Sequence, residues 1–98
     1  MAQSPSLTKD PNKPVEFHTN GLDQAVMSWL REQDPEGIRK LEMAAVENRA
    51  AEIQLQKRID RKSAEILRRA TVMVNVQGLS PEEALLLATR YTLEPDQE

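Results

Sequence analysis

Between Gly37 and Gly78 the chain has neither glycine nor proline, the two residues that most readily end a helix. The spacing inside that stretch predicts one long central helix over residues 35–77. Apolar residues recur at steps of three and four or their sum: Ile38, Leu41 and Ala45, then Leu55, Ile59, Ile66, Met73 and Val76. This is the pattern of a single helical face. Asp34 ahead of Pro35 supplies a start, because the carboxylate accepts from a free first-turn amide and proline at the first helical position gives up no hydrogen bond. Gly37 weakens that turn slightly. A straight helix of this length spans roughly 60 Å at about 1.5 Å per residue, longer than a domain of under a hundred residues is wide. It must bend, break or be covered by a second chain.

The seam has defects that narrow the choice. Continuing the same alternation puts Asn48, Glu52, Lys62 and Arg69 where a coiled coil wants apolar side chains, so a helical bundle fits better than a strict zipper. Val46, Ala50 and Ile53 lie off the main stripe, so the middle of the helix has two sides to cover.

The most distinctive local chemistry is the run over residues 57–69. At about 100° per residue, Lys57, Arg58, Arg61, Lys62, Arg68 and Arg69 fall within an arc of roughly 140°. Leu55, Ile59, Ile66 and Met73 lie beside them, and Glu65 is spaced to pair with Arg61 and Arg69. Such a face attracts phosphates, an anionic membrane surface or an acidic protein patch without a sequence code. The simpler reading is a charged outer face that keeps a long helix in water. Charge balance supports it: the run holds six basic and two acidic residues, so with a net charge of −3 the remainder carries −7. Glu82, Glu83, Glu94, Asp96 and Glu98 are available as counter-charges.

The 98 residues, 39% apolar with Phe17, Trp29 and Tyr91 as the aromatics, imply one domain with a small aliphatic core over residues 15–94. Zero cysteines exclude disulfides, thiolate metal sites and cysteine nucleophiles. No apolar run is long enough for a membrane span and residues 1–14 lack the apolar core of a secretion signal, so a soluble cytoplasmic protein is expected. Residues 1–14, with Pro5, Pro11 and Pro14 among polar side chains, read as a disordered polar tail. Residues 15–18 alternate and form either a short strand or a segment docked on the bundle. His18 is the one histidine and reads as a surface or packing residue.

Asn20 is expected to open a first helix that runs to about Gln33, with Asp23 near its positive end. Leu22, Val26, Trp29 and Leu30 make its apolar face, and Trp29 is a core anchor or, at an exposed seam, a partner-binding hot spot. Residues 71–76 alternate as a buried strand does, but lack a good partner strand and continue an unbroken helix, which is the preferred reading. At residues 78–83, Gly78 ends a helix in the left-handed conformation, Ser80 caps the next, Pro81 takes its first position and Glu83 completes a capping box. The last helix, about 81–93, places Ala84, Leu87, Ala88 and Tyr91 on one face, widened by Leu85 and Leu86. An acidic tail over 95–98 follows.

The order helix, Gly-Leu-Ser turn, helix over 64–91 resembles DNA-binding helix-turn-helix units, but the second helix carries only Arg90 and opens on two glutamates that phosphates repel. A segment at 15–17 followed by two helices resembles ribbon-helix-helix repressors in order alone, with Glu16 where a ribbon reads bases. There is no Gly-rich phosphate loop, no His-Glu-x-x-His and no nucleophile elbow. No catalytic residue, metal or cofactor is assigned, and no small-molecule substrate is expected. The expectation is an all-α, non-enzymatic interaction protein: an adaptor, assembly factor or regulatory subunit that forms a homodimer, docks on another protein, or both. Its motive is that Ile38, Leu41, Leu55, Ile59, Ile66 and Met73 exceed what two short flanking helices can cover. Leu55, Ile59, Ile66 and Met73 are the interface candidates, with Trp29 and Tyr91 as secondary anchors. The alternative is a dimeric nucleic-acid-binding regulator that grips phosphates with Lys57, Arg58, Arg61, Lys62, Arg68 and Arg69.

Overall fold

The structure, a computed structural model, describes residues 11 and 13–94. Most of the tail expected over 1–14, and all of that over 95–98, lies outside the described residues. The described chain is all-α, with four helices: α1 (Leu22–Gln33), α2 (Pro35–Ala45), α3 (Arg49–Gln77) and α4 (Pro81–Leu93). None of the described residues is in a strand. Residues 71–76 are the last turns of α3, where the Thr71 hydroxyl donates to the Leu67 carbonyl at 2.8 Å. Residues 15–18 dock as an extended segment. Val15 and Phe17 are half-buried, Glu16 and His18 exposed, and the Asn75 side-chain amide donates to the Lys13 carbonyl at 2.7 Å.

The central helix expected over 35–77 is two helices. The chain leaves α2 through a tightened turn, with Val46 and Glu47 donating to the carbonyls of Met43 and Ala44 at 3.4 and 3.2 Å, the short-range pattern common at helix ends. Asn48 then starts α3: its side-chain oxygen accepts from the Ala50 amide at 2.9 Å, and its carbonyl takes the first α3 bond from Glu52 at 3.1 Å. A break needs no glycine or proline when a short polar side chain can satisfy the free amides of a new first turn.

The other helix ends follow from local chemistry. Asp34 accepts from the Gly37 amide at 3.1 Å with Pro35 in the first turn. Gly37 is useful there, because a Cβ at this position would run into the Asp34 carboxylate. Gly78 takes φ +78° and donates to Val74, while Leu79 donates to Met73, both at 3.2 Å; only glycine adopts that conformation freely. Ser80 accepts from the Glu83 amide at 3.2 Å ahead of Pro81. The start of α1 differs from expectation. Gly21, at φ +86°, precedes the first turn in place of Asn20 and offers no side-chain cap; Leu22 instead donates to the Thr19 carbonyl at 3.0 Å.

The chain divides into two compact units, Thr19–Ala64, and Glu65–Glu98 with Met1–His18, with the boundary inside α3. In the first unit α1 packs on α2, and Leu22, Val26, Leu30, Ile38, Ala51 and Ile59 are its buried apolar residues. Glu42 accepts from Arg31 at 2.8 Å, a hydrogen bond that raises the Arg31 pKa above its ordinary value. In the second unit the buried residues are Ile66, Ala70, Ala84, Ala88 and Thr92. Ala84, Ala88 and Thr92 repeat every four residues, which puts one narrow stripe of small side chains on the inward face of α4. No helix among the described residues is long and apolar enough to cross a membrane.

Candidate functional site

The small inward stripe of α4 has a consequence for the rest of that helix. With Ala84, Ala88 and Thr92 turned inward, the larger side chains fall on the flanks and the outer face: Leu86 and Tyr91 are each 60% exposed. Tyr91 forms one wall of a groove of about 500 Å³ in the second unit, with Arg68, Arg69, Val72, Met73 and Gln77 of α3 completing it. Spacing on α3 explains the set. Residues 68 and 69, 72 and 73, and 77 occupy successive turns of one flank, so the groove has a cationic end, an apolar middle and an amide at the far end.

The charges at the cationic end are open to use. Arg69 pairs with Glu65 at 3.4 Å, with the Arg69 side chain 47% exposed, and a pair in that setting holds its partners weakly. Arg68 makes no ion pair among the described residues. A carboxylate brought to this end meets two guanidinium groups, which bind carboxylates in a planar, two-pronged geometry.

Of the interface candidates read from the sequence, the groove brings Met73 and Tyr91 together. Ile59 and Ile66 are sheltered, at 7% and 0% exposure. Leu55 and Trp29 are half-buried in the first unit. The premise that the apolar stripe lacks cover within the chain therefore needs correction. Ile38 is also fully buried, and Leu41, Leu55 and Met73 are half-buried. Breaking the rod at 46–48 lets α2 turn and pack on α1, so Ile38 no longer needs a second molecule.

The six basic residues are likewise sorted by their surroundings. Within the first unit, Arg58 lies 4.0 Å from Asp34, and the Lys62 ammonium sits 4.4 Å from the Trp29 ring centroid, a cation–π contact. The Trp29 indole nitrogen is buried and finds no acceptor among the described residues. Lys57 and Arg61 make no ion pair among the described residues. Arg68 and Arg69 belong to the groove of the second unit. Among the described residues no cluster of three or more His, Cys, Asp or Glu could hold a metal ion.

Sequence reasoning missed Val72, Gln77 and Leu86 as site or surface residues. A usable signal existed for Leu86: Glu82 and Glu83 lie four and three residues before it, on its own face of the helix. Comparison with family models, with curated proteins and with solved structures finds no match to this chain.

Proposed function

We propose that this chain is a non-enzymatic helical interaction protein, an adaptor, assembly factor or regulatory subunit that works by self-association or by docking on a protein partner. The observation that carries the reading is the groove of Val72, Met73 and Tyr91 edged by Arg68 and Arg69, with Tyr91 exposed on its wall. Large apolar side chains held at the surface beside paired cations form the kind of patch that proteins use to bind one another. Tyrosine and arginine are also the residues most often found to dominate binding energy. The cytoplasm is the setting proposed with this role.

The test compares wild type with Met73→Glu and Tyr91→Ala by sedimentation over a range of concentrations and by affinity capture. Loss of self-association, or of a captured protein, in both variants at unchanged helical content is the expected result. A wild-type chain that stays monomeric and captures nothing the variants fail to capture defeats the proposal.

A second reading, nucleic-acid binding, is favoured by Lys57, Arg61 and Arg68, the three cations of the basic run without an ion pair among the described residues. Fluorescence anisotropy with duplex DNA and single-stranded RNA tests it. A steep loss of affinity with salt, reduced when these three become glutamine, is its signature.

A further inference from the structure

The outer face of α4 carries the chemistry that the groove lacks. Glu82, Glu83 and Leu86 are all exposed, with Leu86 at 60%, and a turn of helix separates the two carboxylates from the leucine. Arg90, also exposed, follows one turn beyond. Along α3 the groove reads Arg68 and Arg69, then Val72 and Met73 one turn on, then Gln77 a further turn on. The two series advance at the same rate, since four residues of either helix cover about 6 Å.

We propose that the groove is filled by α4 of a second copy of this chain, laid parallel to α3. In that register Glu82 and Glu83 meet Arg68 and Arg69, Leu86 enters between Val72, Met73 and Tyr91, and the Arg90 guanidinium donates to the side-chain carbonyl of Gln77. Each step pairs a group with its complement: anion with cation, Arg69 being shared with its own Glu65, apolar knob with apolar floor, donor with acceptor. The second copy is preferred over an unrelated acidic helix because three successive turns match at once. Every copy carries both halves, so two copies related by a two-fold axis make the contact twice and close as a dimer. The inference rests on the reading of the chain as an interaction protein and names the partner of the same groove.

Charge reversal tests it in full-length protein. Arg68→Glu with Arg69→Glu sets carboxylates against carboxylates, and Glu82→Lys with Glu83→Lys sets cations against cations. Each double variant alone is expected to dimerise roughly a hundredfold more weakly than wild type in sedimentation equilibrium. Mixed in equal amounts they are expected to form a heterodimer, because in it both contacts are again between opposite charges. Raising salt weakens the wild-type dimer in the same experiment. Circular dichroism checks that each variant is folded. If a charge reversal unfolds the chain, Leu86→Gln, which changes no charge, takes its place with an expected loss of about tenfold.

A wild-type chain that remains monomeric throughout overturns the proposal, as does a dimer indifferent to both reversals or a mixture that fails to recover. A monomeric wild type whose captured protein is lost on Arg68→Glu with Arg69→Glu overturns the second copy as occupant while leaving the interaction role standing.

Discussion

The two compact units solve the problem of a small core in opposite ways. The unit of residues 19–64 buries branched aliphatic side chains, Leu22, Val26, Leu30, Ile38 and Ile59, with Ala51 as its one small member. Its longer polar side chains are partly engaged, through Arg31 with Glu42, Arg58 with Asp34 and Lys62 over Trp29. The unit that contains α4 buries Ala70, Ala84, Ala88 and Thr92 around a single large residue, Ile66. Large apolar side chains stay exposed in both units, Met43, Val46 and Ile53 in the first and Val76, Leu86 and Tyr91 in the second; the difference lies in what is buried. A core of small residues removes less apolar surface from water per residue, at about 25 cal/mol per Å². The second unit therefore depends more heavily on its one large buried side chain, Ile66.

That contrast can be broken at its most dependent point. Among the described residues of the second unit, Ile66 is the only fully buried large side chain, so Ile66→Ala is expected to cost about 2 to 5 kcal/mol. Chemical denaturation followed by circular dichroism measures it. A loss below about 1 kcal/mol, the range of a mere methylene trim, would show that the alanine stripe holds this unit without a large anchor, and the contrast between the units would dissolve.

Enlarging the stripe sharpens the same point. Ala88 has no exposed surface, and Ala88→Leu forces extra volume into a site that is already fully covered. The expected cost is about 1 to 3 kcal/mol, read from the same denaturation curves. A stabilised variant would mean that a cavity lies under α4.

The smallest of these effects concerns the join between α2 and α3 in the first unit. Asn48→Ala removes the oxygen that accepts from Ala50 and is expected to cost about 1 kcal/mol, with faster amide exchange at Ala50. An unchanged exchange rate would show that the tightened turn at 46–47 makes the break by itself.

What could be read without coordinates follows the range of the interaction involved. Asp34 with Pro35, and Gly78 with Ser80 and Pro81, form helix ends out of residues a few positions apart, and all of these behave as expected. Asn48 was visible too, but as a polar fault in an apolar register. A cap and a seam defect put the same short polar residue at the same place, and the order of residues cannot tell them apart. In α4 the apolar residues run almost all round the helix from Ala84 to Ala88. Such a helix has no unique inward face: the sequence groups Tyr91 and Leu86 with Ala84 and Ala88 on one wide face to be covered by a neighbouring helix or a dimer partner, and within the chain Ala84 and Ala88 are buried while Tyr91 and Leu86 are exposed. The groove was missed for a related reason: α3 contributes a recognisable flank, but Tyr91 closes it from another helix.

By itself the order of amino acids determined that this chain is all-α, that helices begin at Pro35 and Pro81 and stop at Gly78, and that cations concentrate on one stretch of α3. These outcomes depend on caps, backbone freedom and period, which act within a turn or two of chain. Tertiary structure alone decided that the rod divides at 46–48, that Ile38, Ile59 and Ile66 are covered within one molecule, and that alanines instead of leucines face inward on α4. Those choices depend on how much volume neighbouring elements leave between them, and volume is shared among residues far apart in the chain.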